Sequence, residues 1–492
     1  MVALSRNLSL VAVLLLFGFS CNPSQNKTFV SNPRVELDLD AIQKRGFINV
    51  LVDNNSISYF IYKGQPMGYE YELLTLLADE LDVELRIKVT SGVEHAIDQL
   101  NRGEGDLLAF PLTVTKNRTD FVSFTKPHYN SFQVLVQRKP DGWRKMNEDQ
   151  INEGLIRNPV DLVGKKVSVI TGTSYEQRLR NLSEEIGGDI DIELDTLNAE
   201  SESLIRRVAM GDIEYTVSDH TIARVNASYY PNIDVSTVLS VAQQIAWAVR
   251  KNSPLLLKAT NTWLTRVKKQ PTFMVIYNRY FKSPRTSVMR MNSDYSSLGG
   301  NKLSPYDDLI RDGAAQLNWD WRLLASVVYQ ESKFVPDDES WAGAKGLMQL
   351  MPETARQYGV KDIHDPVQNI KAGVKYLKYL DKFWSKSVAD PNERLKFILA
   401  SYNVGLSHII DAKKLAAKYG KDSTRWNGNV EYYLLKKSDP QYYRDPLAKT
   451  GYCKCEEPVN YVRHVLSRYD EYKVHIRDSV DQLSVETVVT AR

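Results

Sequence analysis

The chain runs to 492 residues, too many for one ordinary core, so two folded domains are the default expectation. Lys and Arg number 63 against 60 Asp and Glu, and the resulting +3 excludes the clustered basic excess of a nucleic-acid-binding surface. The 7 His residues contain no HExxH and the 3 Cys no CxxC, so neither a metal nor a cofactor is expected.

The N-terminus reads as an export signal. Arg6 precedes an apolar run at residues 10–17, and Gly18, Phe19, Ser20 and Cys21 follow. The run is too short to span a bilayer but fits the apolar core of a signal peptide over residues 1–20. A small residue directly before a single cysteine resembles the bacterial lipoprotein processing site, which implies a lipid on Cys21. That pattern usually has Leu where Gly18 stands, and simple cleavage by the general signal peptidase is the alternative. Residues 21–44 then form a tether that starts polar, as an anchor needs. The resemblance implies a place in the cell envelope, anchored to a membrane facing the periplasm; Asn22 after Cys21 points to the outer membrane.

From residue 45 to residue 282, short β-branched runs alternate with amphipathic helical patterns. Ile48, Asn49, Val50, Leu51 and Val52 read as a strand. Leu73, Leu74, Leu76, Leu77 and Leu81 mark a helix, and Leu85, Ile87 and Val89 alternate as a strand. The rhythm returns with a strand at Lys166–Ile170 and a helix after Ser174. Two such sets in tandem predict an α/β domain of two lobes with a cleft between them. A polar stretch at 283–303, with Ser296, Ser297, Gly299 and Gly300, breaks the periodicity and reads as a linker.

Residues 304–475 are helical almost throughout and predict a mostly α second domain. Ser304-Pro305-Tyr306-Asp307 and Asp365-Pro366-Val367-Gln368 each carry a capping residue with proline at the first helical position. A helix beginning at Asp320 puts Leu324, Val327, Val328 and Glu331 on one stripe. Burial on that stripe and the dipole at a helix C-terminus both raise a carboxyl pKa. A Glu kept protonated near neutral pH is what glycosidic cleavage needs as a general acid. Pairing of Glu331 with Arg322 or Lys345 is the alternative.

Leu395, Ile398, Leu399 and Tyr402 repeat the helical spacing and turn Tyr402 inward. The glycines approaching Gln349 let backbone come close to a ligand. Trp319, Trp321, Trp341, Trp384 and Trp426 offer faces for stacking on sugars or for ordinary packing. Cys453 and Cys455 stand too close for an easy bridge and read as two loop cysteines, with a disulfide or redox pair as the alternative. Residues 476–492 are polar and are given no structure.

Glu331-Ser332, Gly346-Leu347-Met348-Gln349 within the stretch 343–355, Ala400-Ser401-Tyr402-Asn403-Val404-Gly405 and Tyr461-Val462 follow one another in a recognisable order. The set resembles the lytic transglycosylases with a goose-type lysozyme fold. The resemblance implies cleavage of the β-1,4 bond between N-acetylmuramic acid and N-acetylglucosamine in peptidoglycan without water, leaving 1,6-anhydro ends. It implies Glu331 as the catalytic residue, with Ser332, Met348, Gln349, Tyr402, Asn403 and Tyr461 along the substrate cleft. The family commonly has a glycine where Cys455 stands, and cysteine there restricts the backbone. A lysozyme-type hydrolase, which needs a second placed carboxylate, and a non-catalytic wall-binding receptor are the alternatives.

The stretch 64–73, Leu112-Thr113-Val114-Thr115 with Arg118, the stretch 120–127, Thr171-Gly172-Thr173-Ser174-Tyr175 and Val217-Ser218-Asp219 resemble the amino-acid-binding type of extracellular solute-binding protein. The resemblance implies that Arg118 grips a ligand carboxylate, Asp219 meets its amino group, and Thr113 and Thr173 supply further contacts. The ligand is then an amino acid or muropeptide that modulates the second domain. A domain that keeps the fold without a ligand is the alternative, because Phe110 and Pro111 crowd the approach. Together the two resemblances imply a binding-protein-like regulatory domain fused to a lytic one.

Overall fold

Among the described residues, the β-branched runs form strands β1 (Phe47–Val52), β2 (Phe60–Tyr62), β3 (Gln65–Met67), β4 (Glu84–Val89), β5 (Leu107–Thr113), β6 (Ser123–Phe124) and β7 (Tyr129–Ser131). Strands β8 (Gln133–Arg138), β9 (Lys166–Ile170), β10 (Asp191–Asp195), β11 (Tyr215–Asp219), β12 (Ile233–Asp234) and β13 (Gln243–Val249) follow. This computed structural model describes residues 33–195, 201–283, 289–290, 293–298, 300 and 302–476; the signal sequence, Cys21 and the tail from 477 lie outside them.

Two sheets make two lobes, as the alternating pattern predicts. The first has the order β4-β1-β5-β13-β6, with β7 also on β13; the second is β10-β9-β11-β8-β12. In each sheet the core pairs run parallel, β1 with β4 and β5, and β9 with β10 and β11. Helices such as Tyr69–Leu81 and Ser174–Ile186 cross between them and bury their leucines against the sheet. The chain passes between lobes at Phe132 and again across residues 235–242, which gives two crossing segments for a hinge.

Regular structure begins earlier than the tether expectation allows. The helix Leu39–Arg45 is capped by Asp38, whose carboxylate also accepts from the Leu256 backbone at 2.8 Å, and Ile42 is buried. The 283–303 stretch is also more ordered than a polar linker suggests. The Ile61 carbonyl accepts from Ser297 N and the Tyr295 carbonyl from Lys63 N, so this segment lies along the β2–β3 hairpin. Ser296 is fully buried there. Polar serines serve because each unpaired hairpin edge group needs a partner.

The second domain packs helices around Trp321–Ser332, which touches Asp307–Leu317 on one side and Glu456–His475 on the other. Its cap is Asp320, as expected. Asp365 likewise caps Pro366–Trp384, accepting from Gln368 N at 2.7 Å. The Ser304 device is corrected: the helix starts at Asp307, and the Asp307 carboxylate accepts from Leu303 N and Ser304 N, each at 2.8 Å. The carboxylate satisfies more donors there than the serine hydroxyl does.

The two domains meet at the β2–β3 hairpin. Tyr472 donates to the Gly64 carbonyl at 2.9 Å, and Arg463 pairs with Glu84 at 3.3 Å. Gly64 adopts φ +73°, and a Cβ there would stand 2.5 Å from Phe334 and 2.9 Å from the Tyr472 hydroxyl. Only glycine fits this approach.

Candidate active site

Glu331 is the penultimate residue of the Trp321–Ser332 helix, which is buried continuously from Trp321 to Tyr329. Neither proposed cation reaches it. Arg322 turns back to Asp320 at 2.8 Å, and Lys345 pairs with Glu339 at 3.2 Å. Its partner is instead Tyr461, whose hydroxyl donates to Glu331 Oε1 at 2.5 Å from the facing helix Glu456–His475. Burial pushes the Glu331 carboxyl up to about 8; the Tyr461 hydrogen bond opposes this, and the charge of Glu457 adds to it. A carboxyl in that range is protonated at neutral pH and can give a proton.

Tyr402 reaches the same place from the last turn of Pro391–Val404. Its hydroxyl donates to the Met348 carbonyl at 2.8 Å. Burial and the neighbouring Glu331 charge hold its phenol well above the usual range. Asn403 follows it, partly exposed. Gln349 donates through Nε2 to the carbonyls of Asp338 and Gly346, both at 3.0 Å, from a left-handed backbone at φ +44°. Such a conformation in a non-glycine residue is uncommon and marks a loop fixed by its surroundings.

Two residues expected along the cleft are buried. Ser332 is 3% exposed, and its hydroxyl donates to the Leu347 carbonyl at 2.8 Å. Met348 is fully buried, with its sulfur filling the space a side chain on Gly373 would need. Ser332 ties the Gly346–Gln349 loop to the Trp321–Ser332 helix, and Met348 ties it to the Pro366–Trp384 helix.

The two glycines approaching Gln349 differ: Gly343 has open space where its Cβ would be. Gly346, at φ +80°, has the Asn369 side chain where its own Cβ would be. Asn369 accepts from Met348 N at 2.8 Å and donates to the Lys345 and Ile363 carbonyls at 3.1 and 2.8 Å. At Gly346 the glycine makes room for the Asn369 clamp. Sequence reasoning missed Asn369; a polar residue on the buried face of an otherwise regular helix is the available signal.

Cys453 and Cys455 are joined in a disulfide, contrary to the reading as two loop cysteines. The bridge is possible because Cys455 caps the Glu456–His475 helix at φ −92°, and the turn brings the two Cα atoms to 5.2 Å. No glycine is needed at that negative φ. His408 lies within 4.8 Å of both sulfurs, but with the sulfurs bonded to each other two of three potential metal-ligand atoms are spent.

The first domain gathers its own set of residues. Asp53 follows β1, Thr113 ends β5, Thr173 follows β9 and Asp219 ends β11, so all sit at carboxyl ends of parallel-paired strands. With Arg118 they line one cavity of about 100 Å³ between the lobes. Phe110 and Pro111 line it as well, in keeping with the crowding expected from them. Arg118 donates to the Thr113 carbonyl at 3.1 Å, and burial lowers its pKa. Asp219 accepts from Thr221 N at 2.8 Å, Thr113 donates to Gln243 at 3.4 Å, and Thr173 donates to the Ile170 carbonyl at 2.7 Å. Asp53, pushed up to about 6 by burial, was missed; its place just past a central strand is the signal.

The helical half matches the transglycosylase SLT domain over residues 308–424, and the first half matches the bacterial extracellular solute-binding proteins, family 3, over residues 48–283. The class is thus a lytic transglycosylase carrying a solute-binding domain. A membrane-bound lytic murein transglycosylase F of Desulfosudis oleivorans is 37% identical over 432 residues, covering 88% of this chain and 91% of that protein. One from Pseudomonas fluorescens is 32% identical over 437 residues, covering 88% and 86%. Among solved structures, an ancestral amino acid-binding protein, a precursor of cyclohexadienyl dehydratase, is 27% identical with a TM-score of 0.41, covering 49% of this chain and 98% of that one.

The chain belongs to the membrane-bound lytic murein transglycosylase F family and is a lytic murein transglycosylase acting on peptidoglycan. Among the described residues, no helix is long and apolar enough to cross a membrane.

Proposed function

We propose that Glu331 is the acid and then the base of this lyase. The carboxyl protonates the glycosidic oxygen between N-acetylmuramic acid and N-acetylglucosamine. As a carboxylate it then takes the proton from the muramoyl C6 hydroxyl, whose oxygen closes a 1,6-anhydro ring. An attacking hydroxyl already in the substrate replaces water and supplies the advantage of an intramolecular nucleophile. The observation that carries this reading is a partly buried carboxyl with neither Arg322 nor Lys345 on it, raised to about 8 and held by Tyr461. Gln349, Tyr402 and Asn403 hold the sugar chain around it.

Glu457 is the one feature favouring a second reading, hydrolysis, since its charge is felt at Glu331 and a hydrolase needs two carboxylates. Mass spectrometry of peptidoglycan digests separates the two. Anhydro-ended muropeptides are expected from wild type, and Glu331→Gln should lower turnover by at least ~10²-fold. Products one water heavier would assign a hydrolase, and an active, folded Glu331→Gln variant would remove Glu331 from its role.

The first domain, in this reading, binds the α-amino acid end of an amino acid or muropeptide, with Arg118 on the carboxylate and Asp219 on the ammonium group, and its occupancy modulates cleavage. A lipid on Cys21 holds the enzyme on the outer membrane, facing the periplasm. Cys21→Ala should then shift the protein from the membrane to the soluble periplasmic fraction, and equal retention of both forms would refute the anchor.

A further inference from the structure

Of the five tryptophans offered for sugar stacking, Trp321, Trp384 and Trp426 are buried in the core and Trp319 is partly covered. Trp341 is 100% exposed. An exposed apolar side chain alone needs no explanation, but the turn that presents this one is fixed. Ser340 N donates to the Ala344 carbonyl, Gly343 N to the Ser340 carbonyl, and Ala344 N to the Ser340 hydroxyl, each at 2.9 Å. Bridges between Glu339 and Lys345, and between Lys345 and Leu350, close the base of the turn.

The same loop builds the catalytic cleft. The Asp338 carbonyl accepts from both Gly346 N and Gln349 Nε2 at 3.0 Å. Trp341 is three residues from Asp338, so it stands at most about 10 Å from that anchor, a span comparable to a disaccharide. Met351, directly after Leu350, leaves a further apolar surface half exposed on this loop.

We infer that Trp341 is a glycan-binding subsite on the lip of the cleft, stacking its indole face on a sugar ring of the strand beyond the cleavage point. A peptidoglycan strand is a polymer, and it must leave the cleft across some edge of it. A rigidly presented indole suits a sugar, with an apolar face for the ring C–H groups and an N–H for a hydroxyl or acetamido oxygen. The inference rests on the placing of the active site at Glu331.

The test compares the full chain with Trp341→Ala and Trp341→Phe on two substrates: long peptide-free glycan strands and a tetrasaccharide too short to reach the lip. On long strands Trp341→Ala should raise KM about 3- to 10-fold with kcat unchanged, and Trp341→Phe should recover most of the loss. Both variants should match wild type on the tetrasaccharide. An unchanged KM on long strands overturns the subsite. So does an equal fall in kcat on both substrates. Failure of the Glu331 reading is separate, since it shows as retained cleavage by Glu331→Gln whatever Trp341 does.

Discussion

At the scale of single residues, the raised Glu331 carboxyl fixes two pH dependences. Cleavage starts from the protonated form, so kcat/KM should fall as pH rises through about 8. Folding is linked to the same proton. The folded value, about 8, lies above the ordinary 4.5, so the native state binds more protons between them. The stability contribution is full below about 4.5, falls as pH rises toward 8, and is flat above. Glu331→Gln stays neutral and should escape this loss. Its melting temperature should equal wild type in acid and exceed it increasingly up to about pH 8; a constant difference would argue against a burial-raised carboxyl. Glu331 and Tyr402 were legible because a helix repeat tells which face a residue occupies. The burial of Ser332 and Met348 was not legible, because a motif gives neighbours along the chain and not the direction of a side chain. Asn369 and Asp53 matter through contacts made at long range, which local patterns do not carry.

At the scale of elements, helices and strands of the cores were readable and their edges were not. The segment at 295–297 has the composition of a linker, yet it lies along a hairpin whose open edge no sequence pattern announces. Cys455 is a similar case, since the helix cap that allows its bridge is set by the fold. The hairpin has a measurable consequence at Gly64. Alanine there must displace Phe334 or Tyr472 and also hold φ near +73°. Gly64→Ala should therefore weaken domain docking by about 1–3 kcal/mol. Hydrogen exchange should quicken both in the hairpin and around Tyr329–Phe334, while the second lobe exchanges as before. Unchanged exchange on the helical side would show that the contact carries no docking energy.

At the scale of the whole molecule, the contacts described between domains belong to the first lobe: the hairpin, β4 and the segment at 295–297. The second lobe reaches this assembly through Glu202, whose carboxylate accepts from Ser56 N at 3.3 Å and from the Asn226 side chain at 3.2 Å. Ser56 lies just ahead of the hairpin that touches Tyr329 and Phe334, which flank Glu331 in sequence. In the regulatory reading, ligand binding that closes the lobes would act along these contacts, and a coupling of ~1–3 kcal/mol would change activity about 5- to 150-fold. Arg118→Ala should abolish binding of stem peptides in calorimetry and flatten the activity response to them, with basal cleavage intact. A response that survives in Arg118→Ala would place the effector elsewhere.

The docking of the first lobe has a mechanical corollary. The first lobe and the helical domain are joined by direct contacts, and the second lobe meets the first where Glu202 accepts from Ser56 N. Were a ligand to close the cleft, residues 56–64 would carry the strain as a short shaft ending near the Trp321–Ser332 helix.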